Sequence, residues 1–198
     1  MAGEDPMHTP VAHPDTRLTY DDFLLLPDDG KRHEIIDGAH YVTPSPNLRH
    51  QDVVLRLTLR IGAYLEANPG AGRLFIAPLD VVLSHHDVVE PDLLFVAGDQ
   101  TEILTPQNVQ GAPALVVEVF SKSTRKKDAQ IKRRLYDRTG VREYWLVDPE
   151  LDLVQVFRRA DDGRLARVAE LTAEGAHVLD TPLLPGCGID LRELFRPS

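Results

Sequence analysis

The apolar positions change period along the chain, and each change marks an element. Residues 1–16, rich in Pro, His, Asp and Thr, show no apolar period, so a loose tail is expected ahead of one domain over 17–198. Thr19, with Asp22 three residues on, opens a short helix through Leu26, ended by Pro27 and Gly30. Residues 33–42 read as a hairpin turning at Asp37-Gly38. From 48 to 67 the positions Val54, Leu57, Ile61, Tyr64 and Leu65 recur at helical spacing until Asn68-Pro69-Gly70 stops them. Strands are expected at 73–77, 79–83, 88–96 and 114–120, then a helix over 124–138 closed by Gly140. Residues 142–147 and 153–157 pair as strands, a weaker hairpin turns at Asp162-Gly163, and 189–195 closes the chain. This order predicts an α/β protein of the α+β kind, a mixed sheet flanked by helices.

Composition narrows the class. At 198 residues the chain suits one domain with a sizeable core, and 42% hydrophobic with 27% charged residues is ordinary globular usage. No apolar run approaches the roughly 20 residues of a membrane span. The first residues lack a basic cluster followed by an apolar stretch, so no secretory signal is expected. The lone Cys187 excludes an intrachain disulfide and a cysteine-rich zinc site, and fits a cytoplasmic setting. His8, His13 and His33 show no paired metal-ligand spacing.

A net charge of −9 argues against a protein that coats nucleic acid by bulk attraction. The charge is uneven, however. Lys122 to Arg138 holds eight basic and two acidic residues, a local +6 on a remainder of −15. Such a surface fits either a polyanion docking at one place or a solvated helix face.

Two acids interrupt otherwise greasy strands. Ala114 to Phe120 is apolar on both alternating faces except at Glu118, the pattern of a central strand covered on both sides. A carboxylate there is costly without a cation or several hydrogen bonds. Asp92 likewise sits among Val88, Val89, Leu93, Leu94, Phe95 and Val96, and Pro91 before it predicts an edge, a bulge or a strand end that re-aims it. If the two strands neighbour each other, the acids converge on a hard divalent ion, which activates water and polarises phosphate. Taken singly, Asp92 also fits a turn cap and Glu118 an arginine partner.

Lys132 adds a third group. Asp128, Lys132 and Tyr136 share one helix face beside Ile131 and Leu135, which marks that stripe as inward; Lys127, Arg133 and Arg134 face elsewhere, towards solvent. An inward lysine either meets an anion, here near Glu118, or lays its aliphatic stem along the surface. Beside a metal-bound phosphate it would orient the attacking water or stabilise pentavalent charge.

Together, Glu90-Pro91-Asp92, Val117-Glu118-Val119-Phe120-Ser121, then Asp128, Lys132, Tyr136, Gly140-Val141 and Glu143-Tyr144-Trp145-Leu146-Val147-Asp148-Pro149 resemble the Uma-two family of candidate restriction endonucleases. That family belongs to the PD-(D/E)XK phosphodiesterase superfamily. His33-Glu34-Ile35-Ile36-Asp37-Gly38 and Pro46 to His50 look like its N-terminal part, so the resemblance runs from about Leu18 to Phe195. It implies a restriction endonuclease-like fold, Asp92 and Glu118 as metal ligands, and Mg²⁺ or Mn²⁺ as the ion. The superfamily lysine usually sits two residues after the strand acid, where Phe120 stands here. The family is similar in drawing its lysine from the next helix, so Lys132 inherits the role, with Lys122 as the fallback. Glu34 is a further catalytic candidate or a surface strand carboxylate. Asp80 is a third metal acid or a turn residue, and His50 a phosphate contact or a capping or core histidine.

The expected function is therefore metal-dependent endonuclease cleavage of phosphodiester bonds, with DNA as the first substrate and water activated by the cation on Asp92 and Glu118. The alternative is an inactive nuclease-fold module that binds nucleic acid or protein. A homodimer is also expected, with the Tyr144 to Phe157 hairpin as one contact edge.

Overall fold

A computed structural model describes residues 17–43, 45–120 and 125–197, with side chains except those of 125–128. The expected tail, Lys122, and the side chains of Lys127 and Asp128 lie outside what is described.

The element order opens with α1 (Tyr20–Phe23), β1 (Arg32–Ile36), β2 (Ala39–Thr43), α2 (Leu48–Ala67), β3 (Gly72–Ile76), β4 (Val81–Ser84), β5 (Asp87–Val89) and β6 (Leu93–Ala97). A 3-10 helix (Gly98–Ile103) precedes β7 (Val109–Gln110), β8 (Leu115–Val119), α3 (Arg125–Thr139) and β9 (Glu143–Asp148). The chain ends with β10 (Leu153–Arg159), β11 (Leu165–Thr172), β12 (Val178–Leu179), β13 (Ile189–Asp190) and α4 (Leu191–Phe195).

The strands form two main sheets, β2-β1-β5-β4-β7 and β11-β10-β9-β8-β6-β3, plus the small β12–β13 pair. The large sheet is mixed: β8 and β9 run parallel, as the intervening α3 crossover requires, and its other neighbours are antiparallel. Asp37 and Gly38 both take positive φ, which the two-residue turn joining β1 to β2 demands. Gly140 (φ 92°) follows α3 in the same left-handed region.

Strand alternation sorts the core into two layers. Leu93, Phe95, Leu115, Val117, Val119, Trp145 and Val147 face α2 and α4, where Val53, Leu57 and Ile61 line the buried stripe of α2. Each of these three side chains is fully buried and contributes about 1.5–3 kcal/mol. Val53 belongs to that stripe, and the expected Val54 packs partly buried against the same core. Leu94, Val96, Val116, Tyr144 and Leu146 face the other way, onto α3 and the smaller sheet.

Three expectations change. The run 88–96 is two strands in different sheets: Glu90, Pro91 and Asp92 carry the chain from β5 to β6. Pro91 lacks the donor that would continue the ladder, so the predicted break is a crossing between layers. The hairpin strands consequently join a second sheet instead of extending the first. Finally, the Tyr144 to Phe157 hairpin has no open edge, because β10 is paired on both sides by β9 and β11.

Candidate functional site

The crossing positions the first acid. β6 and β8 pair with Leu93 opposite Val117, and one further step of that register sets Asp92 opposite Glu118. Asp92 has left the strand, and its side chain replaces the missing ladder partner: the Val119 amide donates to Oδ2 at 2.8 Å. His50 Nε2, from the first turn of α2, lies 3.1 Å from the same oxygen, and Arg32 Nη1 donates to Oδ1 at 2.8 Å. Burial alone would raise this carboxyl, but the His50 hydrogen bond and charge, followed by Arg32, hold it below its ordinary value. Asp92 is an ionised acid fixed from three sides.

Glu118 shares the face of Val116, which turns it towards α3. Its Oε1 accepts from Tyr136 Oη at 2.5 Å and Lys132 Nζ at 3.1 Å. Lys132 also donates to Glu34 Oε1 at 2.5 Å, and that oxygen accepts the Glu90 amide at 2.9 Å. Burial pushes the Glu118 carboxyl up to about 7, and Asp92 and Glu34 add to the rise against the pull of Lys132 and Tyr136. On Lys132, burial is outweighed by Glu118 and Glu34, so the amine stays charged far above neutral pH. It is a fixed cation, not a base.

A cleft of about 1100 Å³ opens beside the pair, lined by Arg32, His50, Asp80, Glu90 and Asp92 among others. Burial, then the charges of Asp80 and Glu34, push the Glu90 carboxyl up to about 7. Burial raises Asp80 as well. The local balance is thus acidic, with Arg32 and Lys132 set against Glu34, Asp80, Glu90, Asp92 and Glu118. Two hard oxygen donors, one on β8 and one just before β6, in surplus negative charge fit a divalent cation, which takes one or two carboxylates and keeps water for the rest. Among the described residues no three His, Cys, Asp or Glu side chains converge as a ready-made cage.

The structure brings together Asp92, Glu118, Lys132, Glu34 and His50. Asp80 lies on the cleft wall, close enough to Glu90 for their charges to interact. Of the alternatives for His50, the structure shows the core histidine: Asn47 caps α2, and the buried His50 holds Asp92. Sequence reasoning overlooked Arg32. Its signal was parity, since Arg32 and Glu34 are two apart on one strand and therefore share a face.

The family model described as "Uma2: Putative restriction endonuclease" matches residues 20–192. The chain belongs to the Uma2 family. Its fold is similar to the crystal structure of "a putative nuclease belonging to DUF820" from Anabaena variabilis, with a TM-score of 0.75 and 18% identity over 90% of this chain and 97% of that one. None of the curated proteins matches the sequence. Lys132, from the helix after the strand that carries Glu118, reaches Glu118 Oε1. Among the described residues, no helix is long and apolar enough to cross a membrane.

Proposed function

We propose that this Uma2 protein is a divalent-cation-dependent nuclease that hydrolyses phosphodiester bonds, with DNA as the first substrate to test. One observation carries the reading: Asp92, one residue before β6, falls opposite Glu118 of β8 when their register is extended by one step, while Lys132 bonds Glu118 from α3. Asp92 and Glu118 would hold Mg²⁺ or Mn²⁺. When bound, the ion supplies Lewis acidity towards a phosphoryl oxygen and lowers the pKa of a water.

The chain's own residues do the rest. His50, Arg32 and the Val119 amide fix the Asp92 carboxylate. Tyr136 orients Glu118. Lys132 remains protonated, so its part is to position the attacking water by donation and to offset charge gathering on the phosphate. Glu34 holds that amine in place.

The test is cleavage of single-stranded, double-stranded and branched DNA, and of RNA, with Mg²⁺ or Mn²⁺. Asp92→Ala and Glu118→Ala are expected to abolish cleavage, and Lys132→Met to lower it by roughly a hundredfold or more. A folded protein that cuts none of these substrates contradicts the reading.

A second reading has one observation in its favour. Arg32 and Lys132 already pair with Asp92 and Glu118, which suits a nuclease-fold binding module without turnover. Nucleic-acid binding unchanged in Glu118→Ala, with no cleavage by the parent, would select it.

A further inference from the structure

We infer that the cleft beside the acid pair receives an unpaired nucleobase and selects it by its amino group, with Asp80 and Glu90 as the acceptors. This rests on the nuclease reading and names the substrate class of the same site. Glu90 is 9% exposed, and its carboxylate has no hydrogen-bond or ion-pair partner among the described residues, yet it lines the cleft. Asp80, half-buried on the cleft wall, is likewise without a partner there and lies close enough to Glu90 for their charges to interact. Neither carboxylate receives a donor from the described residues, and both line the cleft, so these oxygens are placed to accept from a donor that arrives from outside.

The walls indicate what that donor belongs to. Val42, Val54, Ile76, Pro78 and Leu79 line the same cleft, and Ile76 is 50% exposed. A hydrated cation gains nothing from apolar walls, and among the described residues no three His, Cys, Asp or Glu side chains are grouped to hold one. A flat aromatic ring with amino hydrogens at its edge uses both the walls and the acceptors. The volume of about 1100 Å³ lies just above the range of pockets that enclose small organic ligands, leaving room for a base with its sugar. Glu90 and Asp92 flank Pro91, about 7 Å apart along extended backbone, comparable to the reach from a backbone phosphate to its own base.

The recess also chooses between paired and unpaired substrate. Base edges within a duplex are read by elements that protrude into a groove. Here the acceptors lie inside a concavity, so a base must leave its stack to meet them. Cytosine and adenine present an exocyclic amine. Thymine presents one imide N–H between two carbonyl oxygens, which the carboxylates repel.

The experiment is equilibrium binding of the full chain, with Ca²⁺ replacing Mg²⁺, to short labelled homopolymers of dC, dA and dT and to a duplex of the same length. The expected result is dC and dA bound roughly tenfold or more tightly than dT, and more tightly than the duplex. Asp80→Asn and Glu90→Gln, each nearly isosteric, should erase the preference for dC over dT, while the lost negative charge raises the affinity for both strands alike. Equal affinity for dC and dT, a preference that survives in both variants, or a duplex bound as tightly as the single strands overturns the proposal. Equal binding alongside metal-dependent cleavage by the parent removes the base subsite alone. Absence of all binding and all cleavage removes the nuclease reading with it.

Discussion

Glu118 and Glu143 sit on neighbouring parallel strands, the first partly and the second fully buried, and their surroundings treat them oppositely. Glu143 is 1% exposed and saturated: its oxygens accept from Trp145 Nε1 at 2.6 Å, Arg158 Nε at 2.7 Å and Thr181 Oγ1 at 3.0 Å. Every donor is a permanent part of the fold, so the acid knits β9, β10 and the segment before α4 together. Glu118 has Lys132 and Tyr136, but it also faces Asp92 and Glu34, and its carboxyl is driven up to about 7. A buried acid whose charge is fully answered is architecture. One whose charge is under-answered is waiting for something the chain does not supply.

The largest effect that separates them is on stability. Glu143→Ala strands the Trp145 N–H and the Thr181 hydroxyl and frees Arg158, and is expected to cost roughly 3 kcal/mol. Glu118→Gln keeps the shape while removing a charge that the site resists, and is expected to leave stability unchanged or raised, with cleavage lost. Denaturant unfolding of the two variants checks this. If Glu118→Gln destabilises as much as Glu143→Ala, the distinction between them fails.

The next effect is a pH dependence, with its sign set by the raised carboxyl. Glu118 ionises near 4.5 in the unfolded chain and near 7 in the fold, so across that interval the folded protein holds the extra proton. Stability from this group is therefore present below pH 4.5 and lost as pH rises through 7, by on the order of 3 kcal/mol. Glu90, raised to about 7 as well, adds in the same direction. Mn²⁺ binding competes with these protons, so its affinity should climb through pH 7 and its stabilising effect should grow over the same window. Thermal unfolding from pH 5 to 8, with and without Mn²⁺, reads both. A metal-free stability that rises between pH 5 and 7 in the parent and not in Glu118→Gln would contradict the assignment.

Much of this site was legible in advance because each member broke a local rule. Glu118 interrupted a two-faced apolar strand, Pro91 broke a ladder, and Lys132 lay on an inward stripe, so each was conspicuous against its own neighbours. Period and turn chemistry gave the bounds of α2 and the Asp37-Gly38 turn for the same reason. Contacts that depend on a second element left no such trace. Arg32 looks like any half-exposed strand arginine until the smaller sheet is laid beside β6. The saturation of Glu143 depends on Thr181, 38 residues away in the sequence. That β5 and β6 lie in different sheets was equally hidden, since a proline in an apolar run marks a break without saying where the chain goes next.

The smallest effect concerns Tyr136, and it asks whether the surroundings of Glu118 tune its charge or take part in the reaction. Its hydroxyl donates to Glu118 Oε1 at 2.5 Å, an interaction that favours the ionised carboxyl. The hydroxyl itself stays protonated throughout the accessible range, because burial and then Glu118 and Glu34 hold its pKa well above 10. Tyr136→Phe retains the ring packed on Tyr144, with centroids 5.0 Å apart, and removes only the donor. Glu118 should then hold its proton more firmly, moving the acid limb of the cleavage profile upward by about one unit or less. Above that limb, where Glu118 is ionised in both proteins, the rates should converge. A deficit of tenfold or more persisting at alkaline pH would instead place the hydroxyl among the groups that touch the substrate.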